Sequence, residues 1–482
     1  MRGTTILTFV WKSVVIVVVL ACWFSAFPTA AAQGSSVQGQ DAVYNSSGQV
    51  TNSPAFIDAS QFANSPPTKN FCTVLNWVLN PSNGILPSTG AVIDARGLPG
   101  ATGTSMTCTI SPWGSGSNYL SVPSTILLPA TGGATPNPII IPNSSPWILP
   151  ANTHLIGEGD GIPSTGFTPG TTIQAGTGFS GSMIQFGSSS CPQVSNVPIC
   201  TGISVGNLTL DGQGQSINGI TNGFSQDLTS VNHVSLYQIL GTGLLIQSSG
   251  QSSSTNSGPY SNITFATGGY AGISSTVCAQ IINATSTHGI HSLSCASGSE
   301  DLDAKVAVLL DSSNNSIEDV RIVGFYDGIR VGANGNASSN VLVNIIGDTA
   351  PTGPTPINIV HITNSGYTVS DLSVMGANNA GGSTGTVTIQ DDLTGTQLKD
   401  TSVGIYALGE SADGGYSRYT TSPNATSWAV GANSPSTSSA CSRGSLYSCI
   451  GGSSSCTSGS ISYALWACAL NSSGSLQWVP VK

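Results

Sequence analysis

The feature that most constrains this chain is a recurrence. Short runs of alternating apolar residues return about every 21–30 residues, each closed by Asn, Gly, Ser or Pro. They include 205–214 (VGNLTLDGQG), 231–246 (VNHVSLYQILGTGLLI), 261–269 (SNITFATGG), 288–295 (HGIHSLSC), 317–332 (IEDVRIVGFYDGIRVG), 340–348 (NVLVNIIGD) and 367–376 (YTVSDLSVMG). A period of two marks strands, and the Asn and Gly clusters mark turns. A unit of this length cannot bury its apolar face alone. Stacked on similar units it can, and the spacing suits one coil of a parallel β-helix. The expected fold is therefore all-β, a right-handed parallel β-helix over residues 55–410.

The ends of such a stack need covers. Residues 68–80 (TKNFCTVLNWVLN) place Phe71, Val74, Leu75 and Val78 at helical spacing, which predicts an N-terminal capping helix over the open first coil. Between 124 and 175 the apolar triplets and quartets end in Pro, Gly or Asn, as at strand ends where no ladder donor is needed. Residues 411–440 shift to Ser, Thr, Gly, Asn and Pro, which predicts a linker or covering loop. Residues 441–482 hold Cys441, Cys449, Cys456 and Cys468 and read as a small disulfide-tied β module.

The first 32 residues read as a signal peptide. Arg2 and Lys12 supply positive charge, residues 13–27 the apolar stretch, and Ala30–Ala32 a cleavage site before Gln33. A lipid anchor at Cys22 is the alternative. Residues 33–54 are polar and unpatterned, a flexible lead-in. The expectation is a protein that is secreted and extracellular, or periplasmic or cell-surface, with no membrane insertion after signal cleavage. Eleven cysteines less Cys22 leave ten, an even number that in an exported chain predicts disulfides. Close spacing points to Cys191–Cys200 and Cys278–Cys295 as local staples. There is no C-x-x-C, so zinc is not expected.

Charge is scarce, at 7% of residues, and the formal net charge is −10, or −12 once Arg2 and Lys12 leave. That balance argues against nucleic acid and anionic lipid as partners. Against it stands residues 300–332, where ten of the 32 charged residues fall in about one-fifteenth of the chain. Asp301 and Asp303 alternate by two and share a face if extended; Lys305 follows, and Asp327 and Arg330 come a coil-like distance later. Hydrolysis of a glycosidic bond needs two carboxyls, one kept protonated, and a uronate lyase needs a base and a cation on the carboxylate. The candidate catalytic residues are Asp301, Asp303, Lys305, Asp327 and Arg330. Arg321, Tyr326 and Tyr237 are candidate substrate-binding residues. No metal ligand set is assigned, although the aspartates could hold Ca²⁺. The competing reading is a solvated face of internal ion pairs and turn aspartates. By the same logic Asp211, in Leu-Asp-Gly, reads as a turn residue, and His233 and His361 as hydrogen-bonded edge residues.

The runs FIDASQF (56–62), VIDARG (92–97), TILLP…IIIP…LPANTHLIGEGDG…TTIQA (125–175), ISVGNLTLDGQG (203–214) and IEDVRIVGFYDGIRVG (317–332) resemble the pectate-lyase superfamily of right-handed β-helices, with its polygalacturonase-related members. The resemblance implies a polysaccharide partner, possibly pectin-like, laid along one sheet. It also implies a lyase or a glycoside hydrolase if the protein is an enzyme. The chain contains no Arg-Ile-Lys and no Arg-x-Pro-x-x-Arg, and Asp391-Asp392 lies late. A non-catalytic glycan-binding or cell-surface structural protein is therefore the alternative. The tail resembles modules at the ends of secreted or phage-type β-helices, which leaves monomer and phage-spike-like homotrimer both open.

Overall fold

A computed structural model describes residues 55–100, 104–132, 136–142, 145–163, 170–194, 196–248, 256–268, 275–283, 286–297, 306–348, 358–379, 387–399, 403–408, 416–420, 428–431, 433–435, 446–449, 455–458, 461–462, 464–470 and 476–481. The expected signal peptide, lead-in and Cys22 lie outside the described residues. The chain divides into Met1–Phe56, of which only Ala55 and Phe56 are described, and Ile57–Lys482.

From residue 204 onward the recurrence in the sequence becomes coils. Strands Ser204–Gln215, Ser230–Ile239, Tyr260–Ala266, Ile290–Ala296, Ser316–Val323, Val341–Asp348 and Leu372–Asn379 pair in parallel, each with the next. Between them run Asn218–Asn222, Thr242–Gln247, Val277–Ile282, Val306–Asp311, Asp327–Val331, Asn358–Ile362 and Val387–Asp391, parallel neighbours in a second sheet. Most of the described strands thus form a nineteen-stranded and a ten-stranded sheet, between which the chain alternates, and six more form three two-stranded sheets. This is the parallel β-helix, wound in the right-handed sense of parallel crossover connections.

Side chains stack as the backbone does. In the ten-stranded sheet Trp147, Ile184, Ile220, Leu244, Ala279, Val308, Ile329, Val360 and Ile389 follow one another in register, all fully buried. The corners stack too. Asn207, His233, Asn262, Ser292, Asp319 and Asn344 all take φ between 53° and 56° and drop out of the register, so these strands bend at a left-handed residue of the same phase. Asn and Asp tolerate that region through local side-chain hydrogen bonds. Another polar ladder lies inside. Thr287 Oγ1 donates to Asn315 Oδ1 at 2.7 Å, the Asn315 N–H donates to Asn340 Oδ1 at 2.9 Å, and Asn340 Nδ2 donates to the Ser312 carbonyl at 2.8 Å.

The N-terminal cap is the expected helix, observed as Phe71–Leu79. Asn70 caps it, accepting from the Thr73 N–H at 2.9 Å, while Thr73 Oγ1 accepts from the Asn70 N–H at 3.1 Å. Phe71, Val74, Leu75 and Val78 are fully buried, and Cys72–Cys108 ties the helix to the chain that bridges to Ile140. At the other end Val403–Leu408 lies antiparallel on Leu372–Asn379 and ends the parallel stack. Tyr416–Thr420 and Trp428–Gly431, inside the stretch expected as linker or covering loop, are strands of the same sheet. Leu446–Cys449, Leu465–Leu470 and Leu476–Pro480 complete it around Tyr447, Trp466 and Trp478. Cys191–Cys200 and Cys278–Cys295 are bonded as expected; Cys449 pairs with Cys456, and Cys468 is also disulfide-bonded. Cys278–Cys295 joins the two sheets. Among the described residues no helix is long and apolar enough to cross a membrane.

The internal ladder yields a stability test. Asn340→Ala strands the buried Asn315 N–H and Ser312 carbonyl, and should lower the unfolding free energy in urea by about 2–4 kcal/mol. Asn344→Gly, at an exposed corner that glycine adopts freely, should change it by less than about 1 kcal/mol.

Candidate functional site

On the outer face of the ten-stranded sheet, one row of positions alternates with the buried ladder. It runs Gln185, Thr221, Leu245, Gln280, Leu309, Arg330, His361, Gln390, each in register with the next, about 4.8 Å apart along the helix axis. The first five carry no charge. At Arg330 and His361 the row meets Asp327, the first residue of its strand.

Asp327 holds this centre together. Its Oδ2 accepts from Arg330 Nε and Nη2 at 2.5 Å and faces His361 Nδ1 at 2.9 Å, while Oδ1 accepts from Asn358 Nδ2 at 2.8 Å. His361 Nε2 in turn meets Asp392 Oδ2 at 2.9 Å. Gln390 Nε2 donates to Asp392 Oδ1 at 2.6 Å, and Gln397 Nε2 donates to Gln390 Oε1 at 2.9 Å. Side-chain exposure rises outward, from 4% at Asp327 through 19% at His361 and 27% at Arg330 to 38% at Asp392.

An ionised carboxylate only accepts hydrogen bonds. With a carboxylate at each ring nitrogen, His361 carries two N–H groups and is an imidazolium. The electrostatics agree. The hydrogen bond to Asp327 does most to raise the His361 pKa above its ordinary 6.5, against burial, and Asp392 adds to it. For Asp327, burial alone would push the carboxyl up. The His361 hydrogen bond and the charges of Arg330 and His361, helped by Asn358, outweigh burial and hold it below 3.8.

The sequence placed Asp327 and Arg330 in a functional cluster, and they are in contact. Tyr326, half-buried, sits just before them, and its carbonyl accepts from the Asn358 N–H at 2.8 Å. The other two candidates lie elsewhere. Arg321 is in the nineteen-stranded sheet, in register with Ser294 and Ile346, and Tyr237 is there too, in register with Asp211 and Ala266. Asp301, Asp303 and Lys305 lie outside the described residues. Sequence reasoning read His361 as a hydrogen-bonded edge residue and did not place it, Asn358 or Asp392 in the site. The runs GIRV and IVHI share one apolar–polar–apolar phase, which was the available signal for the Arg330–His361 pair. Asp211 accepts from the Gln213 N–H at 3.0 Å two residues on, as its turn reading expects, and burial raises its pKa against the bonds from Gln213 and Gln174. His233 is an exposed corner residue.

Calcium does not fit at Asp327. The ion takes oxygen ligands, and this carboxylate is taken up by nitrogen donors. Among the described residues no group of three or more His, Cys, Asp or Glu side chains gathers as a metal site.

No family model matches the chain, and no curated protein sequence matches it. Solved structures of similar shape include ORF18 of Geobacillus virus E2, at 9% identity and TM-score 0.34, covering 89% of this chain and 86% of that one. The A-module of the Azotobacter vinelandii mannuronan C-5 epimerase AlgE6 overlaps at 13% identity and TM-score 0.32, over 71% of this chain and 91% of its own. The receptor-binding tailspike of bacteriophage Det7 overlaps at 12% identity and TM-score 0.26, over 91% and 82%. At these scores the likeness is loose, and the strand register itself defines the fold.

The network sets a pH window. A raised His361 contributes stability that is complete below pH 6.5 and lost as pH rises through the folded value; a lowered Asp327 contributes stability that is complete above pH 3.8 and lost as pH falls through its folded value. The difference in thermal midpoint between wild type and His361→Gln should therefore be largest between those two limits and shrink as pH rises through the raised folded value of His361. A difference that grows with pH would contradict the imidazolium assignment.

Proposed function

We propose that this protein is an exported β-helix of the pectate-lyase type that binds a polysaccharide along the outer row of the ten-stranded sheet and acts on it through His361. The observation that carries the reading is the row itself. Its coil-to-coil step runs along the helix axis, as an extended sugar chain would. Its amides at Gln185, Gln280 and Gln390 match hydroxyls, its leucines at 245 and 309 match the apolar faces of rings, and its one charged centre lies among them. At that centre a buried carboxylate fixes His361 through Nδ1 and turns Nε2 outward, where Asp392 Oδ2 meets it at 2.9 Å. That is the arrangement a proton-transfer imidazole requires, whether the bond is broken by hydrolysis or by elimination. Arg330, beside it, supplies positive charge that Asp327 keeps in place.

A second reading has its own support. The charges of Asp327, Arg330, His361 and Asp392 alternate and cancel, which suits a non-catalytic glycan-binding protein whose site orients without reacting. One experiment separates the two. Purified protein is incubated with a panel of neutral and acidic polysaccharides, with new reducing ends and unsaturated-uronate absorbance followed, and binding measured by retardation in polysaccharide-containing gels. Catalysis predicts product formation that His361→Gln lowers by about 10²–10⁴-fold with binding kept within a few-fold. Retardation without product, unchanged by His361→Gln, selects the binding protein. Neither product nor retardation on any polymer rejects the groove.

A further inference from the structure

We propose that Asn207, Asn262, Asn314 and Asn336 are acceptors for N-linked oligosaccharides, so that the exported protein carries glycans on the corners and turns of its helix. These acceptors do not depend on the groove reading above. They depend on export, which the disulfides fit.

Each of the four opens an Asn-x-Ser/Thr triplet without proline: Asn207-Leu208-Thr209, Asn262-Ile263-Thr264, Asn314-Asn315-Ser316 and Asn336-Ala337-Ser338. All four asparagines are exposed. Asn207 and Asn262 occupy the left-handed corner phase of the nineteen-stranded sheet, two coil steps or about 10 Å apart, with His233 between them. Asn314 and Asn336 lie on successive coils, in the turns that carry the chain from the ten-stranded to the nineteen-stranded sheet. The asparagines that pack inside are of another kind. Asn70, Asn222, Asn315 and Asn340 are buried, and none of them opens such a triplet. Asn314 and Asn315 show the division at neighbouring positions, since Asn315 joins the internal ladder while Asn314 is exposed.

The chemistry leaves the local contacts intact. The side-chain nitrogen forms a C–N bond to the anomeric carbon of an oligosaccharide carried on a polyprenyl pyrophosphate. The anomeric C–O bond breaks, the pyrophosphate leaves with the electron pair, and the amide gives up one proton. One N–H and the carbonyl oxygen remain. Asn262 needs only that one N–H, donating from Nδ2 to Asn232 Oδ1 at 2.8 Å. Asn336 needs only its oxygen, with Oδ1 accepting from the Thr368 N–H at 2.9 Å.

Linked sugars would also meet a shortage. Soluble domains average about 25% charged residues, and this chain has 7%. Glycans are bulky and solubilising, and they hydrate a surface without stacking like charges on it. None of the triplets begins on a described strand of the ten-stranded sheet, so the coat leaves the positions of its outer row uncovered.

The test uses the full-length protein secreted by a eukaryotic cell line. Peptide N-glycosidase in heavy-oxygen water converts each glycan-bearing asparagine to labelled aspartate, and mass spectrometry reads every triplet separately. Conversion is expected at all four positions. Asn207→Gln, Asn262→Gln, Asn314→Gln and Asn336→Gln should each remove one glycan from the intact mass and melt close to wild type. Thr264→Val keeps Asn262 but breaks its triplet, and should abolish conversion there; conversion that persists would overturn Asn262 as an acceptor. Three or four converted positions support the coat. Two or fewer, on folded and secreted protein, overturn it, whichever other triplets are occupied.

Discussion

Every coil of this protein hydrogen-bonds in register to the coil beneath it. A residue therefore has its counterparts about 4.8 Å above and below, and whatever its side chain does must be repeatable in a stack. Apolar side chains meet the condition by burial, as from Trp147 to Ile389. Amides meet it by donating one way and accepting the other, as Asn315 does in accepting from Thr287 and donating to Asn340. Left-handed corners meet it by recurring at one phase, from Asn207 to Asn344. Like charges meet it only with an opposite charge to offset their repulsion, as Asp327 does for Arg330 and His361. The scarcity of charge, 7% of residues, follows from the fold.

Where charge does enter the stack, it alternates in sign. From the interior outward the centre reads anion, cation pair, anion: Asp327, then Arg330 and His361, then Asp392. The order matches burial. Asp327 is desolvated and would be costly alone, so its four hydrogen-bond donors are a condition of its being ionised at all. The histidine is charged for the reciprocal reason, since both ring nitrogens face carboxylates. One buried carboxylate thus sets the protonation of the imidazole and the pose of the guanidinium.

Much of the fold was legible because its signals are local. Alternation marks strands, Asn and Gly mark corners, the spacing of Phe71, Val74, Leu75 and Val78 marks the helix, and short loops mark Cys191–Cys200 and Cys278–Cys295. The candidate site was legible only at Asp327 and Arg330. Charge density along the chain grouped Arg321 with Arg330, nine residues apart, yet Gly324 to Tyr326 turns the chain between them and puts the two in different sheets. His361 and Asp392 lie 31 and 62 residues after Arg330 and nevertheless share its surface. Proximity in a coil depends on phase, and loops of unequal length hide the phase from a reading of spacing. The strand patterns at 411–440 were hidden differently, since Ser, Thr and Gly there gave the composition of a loop.

The row on the ten-stranded sheet also serves as its own control. Gln185, Thr221, Leu245, Gln280 and Leu309 stand at the same phase, in the same sheet and at the same pitch as Arg330 and His361, and they stack without a charge among them. The coil therefore has no structural need of ions at this position. Ion pairs of this kind are no better for stability than apolar side chains of similar size once desolvation is counted. Two adjacent coils nevertheless carry a cation each, a buried anion to hold both and an exposed anion against His361. A requirement that packing does not impose comes from what the surface meets, and it falls on the outward face of those two coils.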